Sequence, residues 1–402
     1  MGVMKDNHIT SLRLTAIPMR SIAAGELDRV CPPGGATPSV GLAAIAPTNI
    51  GSDIMYIREA MPEDNDELQQ LQAQCPQGTS LIVSNVNTPD FFARAKAYES
   101  YKVYVACEEN GIIGSGACAM REALVDGMVR RVGYEFQYFI APNYRRRGIA
   151  KRLRQKVEDY LTQHGAELSY ALIMEDNRPS MLLFELEGFK LHRTLLIRAL
   201  LVRKEMDVLS QGKVRPAQSQ DLAEVAELLN TTWQGRDLYE PTSAETLTQF
   251  ISRTPAFSSD SLLVLEDKGE ILACLGCWDW SQVMRVTVKA LSRKLQMIGW
   301  LLVTTRIFPR FLKPGDSMKQ MMLTLIGFKE SADLAVLIRY LNNHALRKGI
   351  EQIFCVCELG DVLLKSMKGF IRVDTGLHLY IKPLQQDVSM ASGPVFVNGI
   401  DL

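Results

Sequence analysis

The stretch from Tyr134 to Gly165 constrains the fold of this chain more than any other. Its first seven residues, up to Ile140, are rich in aromatic and apolar side chains and predict a strand. Pro142 and Asn143 interrupt that strand. Apolar residues then recur with the spacing of a helix, and the final glycine predicts its C-terminal cap. The recurring residues are Ile149, Leu153, Val157, Tyr160 and Leu161.

Between the strand and the helix lies a basic turn with one glycine, Arg145-Arg146-Arg147-Gly148-Ile149-Ala150. The first amides of a helix have no partner within it, and the helix dipole favours an anion beside them. Gly148 would let a phosphate approach the backbone closely. The alternative is an ordinary strand-to-helix connection with a solvated basic face.

Two motifs resemble the signatures of one superfamily. Arg145-x-x-Gly148-x-Ala150 is similar to the (Arg/Gln)-x-x-Gly-x-(Gly/Ala) loop of the GNAT superfamily of acyl-CoA-dependent N-acyltransferases. Its next signature, Asn-x-x-Ala-x-x-x-Tyr-x-x-x-Gly-Phe, resembles Asn177-x-x-Ser180-x-x-x-Phe184-x-x-x-Gly188-Phe189. Two signatures in the same order are more specific than either alone. The resemblance covers residues 55–200 well and the second half weakly.

This resemblance implies an acyl-CoA site between two splayed strands. The pantetheine arm would lie in the splay, and a main-chain amide near Ile140 would act as the oxyanion donor. Backbone amides of the basic turn would hold the pyrophosphate. The donor expected is acetyl-CoA, with no metal. The residues expected to bind it are Phe139, Ile140, Arg145, Arg146, Arg147, Gly148, Ile149, Ala150, Asn177, Ser180 and Phe184.

Glu135 is the candidate general base, because it begins the strand that leads to the thioester. Its alternative role is a salt bridge at the edge of the sheet. Phe184 departs from the superfamily, whose Tyr at this position protonates the departing thiolate. Tyr138 or Tyr170, on neighbouring strands, is a substitute acid or a core residue. For Asn177 the alternative to a contact with the donor is a helix cap.

The chain repeats itself after a linker over 204–212. Val214-Arg215-x-Ala217-x-x-x-Asp221 copies the spacing of Ile57-Arg58-x-Ala60-x-x-x-Asp64. We therefore predict an α/β (mixed α+β) chain of two tandem GNAT-like domains, at 55–204 and 212–385. Each should be a mostly antiparallel mixed sheet flanked by helices.

The second copy has lost the loop motif. In its place stands Phe328-Lys329-Glu330-Ser331-Ala332-Asp333, which has no glycine. Glu330 and Asp333 would repel a pyrophosphate. We therefore expect the first half to be the active one and the second to be degenerate.

Composition removes other classes of function. The 45 basic and 45 acidic residues cancel, so net charge gives no argument for nucleic acid or an anionic membrane. No apolar run is long enough to span a bilayer. Cys274 with Cys277, and Cys355 with Cys357, lie in apolar strand-like runs, which favours buried thiols over a zinc site.

Three further segments carry predictions. Residues 1–54 contain five prolines and no aromatic residue, and we expect a disordered or loosely ordered extension. Segment 281–315 holds seven basic residues and no acid. It is predicted to be an insertion packed over its own domain, with peripheral membrane contact as the alternative. The tail, 386–402, is apolar enough to dock at a place that the sequence does not indicate.

The sequence thus predicts an acetyl-CoA-dependent N-acetyltransferase. The acceptor would be a primary amine of a small molecule or a protein, which attacks the thioester directly. We expect a cytoplasmic monomer or homodimer without a nucleic-acid or membrane partner. Because of Phe184 and the degenerate half, the alternative is a non-catalytic acyl-CoA-binding sensor.

Overall fold

The computed structural model describes residues 55–304, 312–388, 390 and 392–402. The predicted extension over residues 1–54 lies outside this part of the chain. The described strands are β1 (Tyr56–Glu59), β2 (Leu81–Asn87), β3 (Ser100–Glu108), β4 (Gly111–Val125), β5 (Met128–Ile140), β6 (Leu168–Met174), β7 (Lys190–Leu201), β8 (Lys213–Pro216), β9 (Leu262–Asp267), β10 (Glu270–Asp279), β11 (Met284–Leu291), β12 (Ser317–Met318), β13 (Gln320–Phe328), β14 (Gln352–Cys357) and β15 (Arg372–Pro383). The described α-helices are α1 (Asn65–Ala73), α2 (Ile149–Gln163), α3 (Arg178–Leu186), α4 (Leu222–Thr232), α5 (Ala244–Arg253), α6 (Arg293–Thr304) and α7 (Ser331–Arg347).

Twelve of these strands form one sheet in the order β1-β3-β4-β5-β6-β15-β7-β14-β13-β10-β9-β8. Only β5 with β6 and β13 with β14 run parallel, so the predicted mixed, mostly antiparallel fold class is confirmed. The last strand of each repeat lies in the other half. β15 pairs with β6, and β7 pairs with β14, while β7 and β15 pair with each other at the centre.

The sequence repeat is also a repeat of contacts. Arg58 makes two hydrogen bonds to Asp64, at 2.6 and 2.8 Å, and Arg215 makes the equivalent pair to Asp221, at 2.5 and 3.0 Å. Each half also has a β-bulge in its central parallel strand, at Gln137 and at Leu325, whose φ angles are 54° and 44°. The bulge kinks the strand and ends its pairing with the next strand, as described below for the first half.

Two cores cover the faces of the first half's sheet. On one face α2 packs through Leu153, Val157 and Leu161. Gly133 allows this close approach, because a Cβ there would lie 2.5 Å from a methyl group of Leu161. The opposite face carries a core that both halves share, with Phe136 from the first half and Trp278 from the second.

The 281–315 segment joins the halves rather than covering its own domain. Its strand β11 pairs with β2 of the first half and with β12, which makes a separate three-stranded sheet. The prediction of an insertion packed over its own domain was therefore wrong, because the strand of this segment pairs with a strand of the other half. Residues 305–311 lie outside the described part of the chain.

The tail crosses from the second half to the first. Phe396 packs on Trp233 and Tyr239, and the buried Asp401 reaches Arg121 at 2.8 Å. The two cysteine pairs lie buried, and the described residues contain no cluster of side chains that could hold a metal ion. No described helix is long and apolar enough to cross a membrane.

Candidate active site

The candidate site is a gap between two parallel strands. β5 and β6 pair from Val132 opposite Leu168 to Glu135 opposite Ala171, and then separate. The bulge at Gln137 turns β5 away at this point, while β5 stays paired with β4 as far as Ile140. We call the gap between residues 136–140 and 172–174 the splay. An extended chain such as a pantetheine arm can lie in such a gap and bond to the exposed strand edges.

The backbone of Ile140 faces the splay. Its carbonyl oxygen accepts hydrogen bonds from Cys75 Sγ at 3.3 Å and Arg145 Nε at 3.1 Å, whereas the next amide, of Ala141, bonds to β4. The amide and carbonyl of one strand residue point to the same side, so the Ile140 N–H also points away from β4. This is the direction that the resemblance requires of an oxyanion donor.

The basic turn leads from the splay to the N-terminus of α2. Gly148 has a φ of 77° and stands at the N-cap, and a Cβ placed there would meet no atom within 4 Å. Among the described residues, the amides from Arg146 to Ala150 have no hydrogen-bond acceptor, and no side chain caps the helix. Free amides around an open glycine at a helix N-terminus form an anion site.

The three arginines of the turn are differently engaged. Arg145 ties the turn to the end of β5 through Ile140, and Arg147 stacks on the ring of Tyr144 at 4.9 Å. Arg146 is exposed and has a φ of 63°. Arg154, about two helical turns further along the chain, is instead buried between Glu158 and Glu187. The arginines of the turn are therefore exposed, whereas Arg154 of α2 belongs to the core.

Glu135 lies in the buried part of the site, beneath α2. Its carboxylate accepts hydrogen bonds from Tyr138 at 2.7 Å and Ser169 at 2.9 Å, and Arg154 lies 4.0 Å away. Burial raises the pKa of Glu135 to about 7, while Tyr138, Arg154 and Ser169 oppose that rise. A carboxyl group with this pKa changes its protonation state near neutral pH, as a general base does. The residue is central in the sheet, not at an edge.

Tyr138 and Phe184 meet at the side of the splay. Their rings are in edge contact, with centroids 5.7 Å apart, and Phe184 is buried against Phe189 as well. Gly116 makes room for Tyr138, because a Cβ on it would lie 2.6 Å from the tyrosine ring. Burial and the neighbouring Glu135 raise the pKa of Tyr138 well above its usual value. Its hydroxyl therefore stays protonated and able to donate.

The remaining predicted residues lie along the splay. Phe139 is buried in the shared core, and Ile149, the first residue of α2, is buried in the core between α2 and the sheet. The side chain of Asn177 accepts a hydrogen bond from the amide of Ser180, at 3.4 Å, and so caps α3. Tyr170 lies on the opposite face from Glu135, stacked on Tyr134 with ring centroids 4.9 Å apart.

Several residues at the site were not predicted from the sequence. The 74–80 connection between α1 and β2 spans the splay, with Cys75 on Ile140 and Thr79 Oγ1 donating to Asp176 Oδ2 at 3.1 Å. The contacts of Ser169 and Arg154 with Glu135 were not predicted either. The position of Arg154, beside the apolar stripe of α2 in the helical spacing, is the sequence feature that indicates its burial.

The second half keeps the bulge but not the anion site. Its strand β13 ends at Phe328 and α7 begins at Ser331, so only Lys329 and Glu330 connect them. The amide of Glu330 donates to Asp333 Oδ2 at 3.2 Å, and the Glu330 carbonyl accepts from the amide of Asp333 at 3.0 Å. The two acids that the sequence has in place of glycine thus stand at the N-terminus of α7, where their charge would repel an anion.

Comparison with known proteins agrees with this geometry. Residues 65–189 match the sequence model of the acetyltransferase (GNAT) family. No curated protein sequence matches the chain closely enough to be a relative.

Solved structures share the fold over most of the length of this chain. N-myristoyltransferase from Saccharomyces cerevisiae, with bound myristoyl-CoA, is 10% identical, with a TM-score of 0.60 over 88% of this chain and 92% of that chain. A GCN5-related N-acetyltransferase from Sphaerobacter thermophilus is 13% identical, with a TM-score of 0.50 over 84% and 98%. The glucosamine N-acetyltransferase region of a fungal multi-domain GH3 β-N-acetylglucosaminidase is 12% identical, with a TM-score of 0.54 over 83% and 38%.

The fold of the chain resembles that of these acyltransferases, and residues 65–189 match the GNAT family, as the sequence motifs predicted. This is the half that carries the splay and the Gly148 turn.

Proposed function

We propose that this protein is an acyl-CoA-dependent N-acyltransferase with one donor site, in its first half. The observation that carries the proposal is the combination of the splay with five unpartnered amides, from Arg146 to Ala150, around the open Gly148. The pantetheine arm would lie in the splay, and these amides would bind the pyrophosphate. The matching connection in the second half has no glycine, and Glu330 and Asp333 stand at its helix N-terminus, so that half would build the fold without binding a donor.

The reaction follows from the groups around the splay. The neutral amine attacks the thioester carbon, the C–N bond forms, and the Ile140 amide stabilises the oxyanion. The Glu135 carboxylate takes the amine proton through the hydroxyl of Tyr138, because Glu135 itself is buried. The C–S bond then breaks, and Tyr138 returns the proton to the thiolate of CoA. One proton thus passes from the amine to the leaving thiol, and Phe184 is not required as an acid.

We propose acetyl-CoA as the donor, because aromatic rings limit the closed end of the splay. Tyr134 and Tyr170 form the pair just before the last one, their rings stack with centroids 4.9 Å apart, and Phe136 stacks on Tyr134 at 5.0 Å. A short acyl group would lie against these rings, whereas a long one would have to displace them. The acceptor is proposed to be a primary amine of a small molecule or a protein.

The test is thiol release from acetyl-, hexanoyl- and myristoyl-CoA in the presence of a panel of small amines and peptides with free amino termini. Amine-dependent release, fastest with acetyl-CoA, is the expected result. The Glu135→Gln protein is the control, since it should bind the donor and release little thiol. Faster release from myristoyl-CoA would overturn the acetyl assignment alone.

A non-catalytic acyl-CoA sensor is the second candidate. The burial of Glu135 and of Phe184 favours it, because neither side chain is open to an acceptor. Tight donor binding together with no thiol release across the amine panel would favour the sensor over the enzyme.

A further inference from the structure

Helix α6 carries an apolar stripe that faces solvent. Met297 is 71% exposed, Trp300 70% and Leu301 55%. They stand three and four positions apart and therefore lie on one face of the helix. Leu295 packs on the shared core instead and holds the helix to the body of the protein. Large apolar side chains gathered on one exposed face mark an interaction surface.

The surroundings of the stripe are basic. Arg293 and Lys294, one turn before Met297, are exposed, as are Arg285 and Lys289 on the neighbouring strand β11. In sequence, no acidic residue occurs between Asp279 and Asp316. The chain as a whole is neutral, so this segment concentrates positive charge that is balanced elsewhere. A partner for it should be apolar at the centre and anionic around it.

The helix begins beside the candidate active site. The amide of Ser292 donates to the carbonyl of Ser80 at 2.7 Å, and the adjacent Thr79 bonds to Asp176 at the end of β6. The 74–80 connection thus links the start of α6 to the open end of the splay.

We propose that α6 is an interfacial helix that docks this protein on an anionic lipid surface, with the splay opening beside the membrane. A helix with Trp, Met and Leu on one face and Arg and Lys beside it inserts its apolar face at the headgroup level, and anionic lipids attract its charges. A three-turn helix buries little area, so the binding is reversible. The proposal concerns this surface and does not depend on the reaction.

Trp300 supplies a direct readout, because the other three tryptophans, Trp233, Trp278 and Trp280, are all buried. The full-length protein is mixed with vesicles of phosphatidylcholine, with or without 30% phosphatidylglycerol, at low and high salt. We expect a blue shift of emission and co-sedimentation with the anionic vesicles, weaker at high salt because screening shortens the range of the charges. No shift and no co-sedimentation on anionic vesicles at low salt would overturn the proposal.

Matched variants separate a docked helix from adventitious charge. Met297→Ser with Trp300→Ser, and Arg293→Glu with Lys294→Glu, should each weaken co-sedimentation at least tenfold. The controls are Leu359→Ser, an equally exposed leucine, and Lys365→Glu with Lys368→Glu, two exposed lysines of the second half. Equal binding by the serine variant and the wild type would overturn the proposal. So would a wild-type dimer that the serine substitutions dissociate without any binding to vesicles.

The same variants distinguish membrane docking from the proposed acyl transfer. Thiol release in solution without vesicles should be unchanged by the α6 substitutions, since the four substituted side chains are exposed on the surface. If the protein bound vesicles but transferred no acyl group, the docking proposal would be supported and only the proposed enzymatic function would be rejected.

Discussion

At the scale of single residues, Glu135 is the group whose chemistry the fold changes most. Its pKa is raised from 4.5 to about 7, because burial penalises the charged form more than its hydrogen bonds favour it. Between these two values the folded protein keeps a proton that the unfolded chain has lost. Stability contributed by this group is therefore present below pH 4.5 and is lost as the pH rises towards 7.

Glu135→Gln should remove that pH dependence. Because Gln cannot ionise, the variant should gain stability relative to the wild type as the pH rises from 4.5 to 7, by on the order of 2–3 kcal/mol at about 1.4 kcal/mol per pKa unit. Urea unfolding at several pH values measures this difference. Glu122→Gln, at an exposed carboxylate, is the control and should show no such trend. A constant difference between pH 4.5 and 8 would contradict the assigned pKa.

Tyr138→Phe tests the proton path. The substitution keeps the ring contact with Phe184 and removes the donor to Glu135. Since that hydrogen bond lowers the pKa of Glu135, its loss should move the rising limb of kcat/KM to higher pH and lower kcat by about 10²-fold. Tyr380→Phe, which removes a similar hydrogen bond to Glu185, is the matched control. An unchanged profile would show that the amine's proton leaves by another route.

The sequence located Glu135 but not its environment. The resemblance places Glu135 next to the thioester, and the helical spacing puts Arg154 on the apolar stripe of α2. Neither pattern shows that Arg154 and Ser169 both lie beside Glu135. These neighbours arrive through the packing of α2 and the register of β6, which are tertiary facts. Asn177 shows the reverse case, because the capping role, weighed as its alternative, is the contact that the structure contains.

At the scale of elements, the connection from β5 to α2 distinguishes the halves. Its first-half version has eight residues between Ile140 and Ile149, whereas the second-half version has two between Phe328 and Ser331. This difference in anion binding was predictable from the sequence. A glycine in a basic run favours an anion at the helix N-terminus, whereas acidic residues before a helix repel it.

Gly148→Glu should abolish donor binding without unfolding the protein. It places bulk and negative charge among the amides that would hold the pyrophosphate, while open space around the residue avoids a clash. Gly349→Glu is the matched control. Gly349 has a similar φ, 68°, equally open surroundings and a place in the second half, so it reports the backbone strain alone. Unchanged affinity in a folded Gly148→Glu protein would contradict the site.

At the scale of the whole molecule, the exchange of β7 and β15 makes the two repeats one structure. The periodicity of the sequence predicted two domains and gave no sign of the exchange. Both strands are apolar runs that end a repeat, and the pattern of a strand does not name its partner. β6 and β7 each have a partner in the other half of the chain, so the assembled sheet decides these pairings.

Residues 55–204 should therefore not fold alone. Without β15 the edge of β6 is left unpaired, and β7 loses both of its neighbours. We expect this fragment to aggregate or to lack near-ultraviolet circular dichroism, and to be recovered as a soluble complex when residues 205–402 are co-expressed. A folded, monomeric fragment that binds acetyl-CoA would contradict the exchange.

The central claim is that one half of a symmetric fold kept the donor site and the other lost it. Isothermal titration of the full-length protein with acetyl-CoA measures this most directly. The predicted result is one site per chain in the wild type and none in the Gly148→Glu protein. Two sites in the wild type, or one site that survives in Gly148→Glu, would show that the second half binds the donor and would contradict the account.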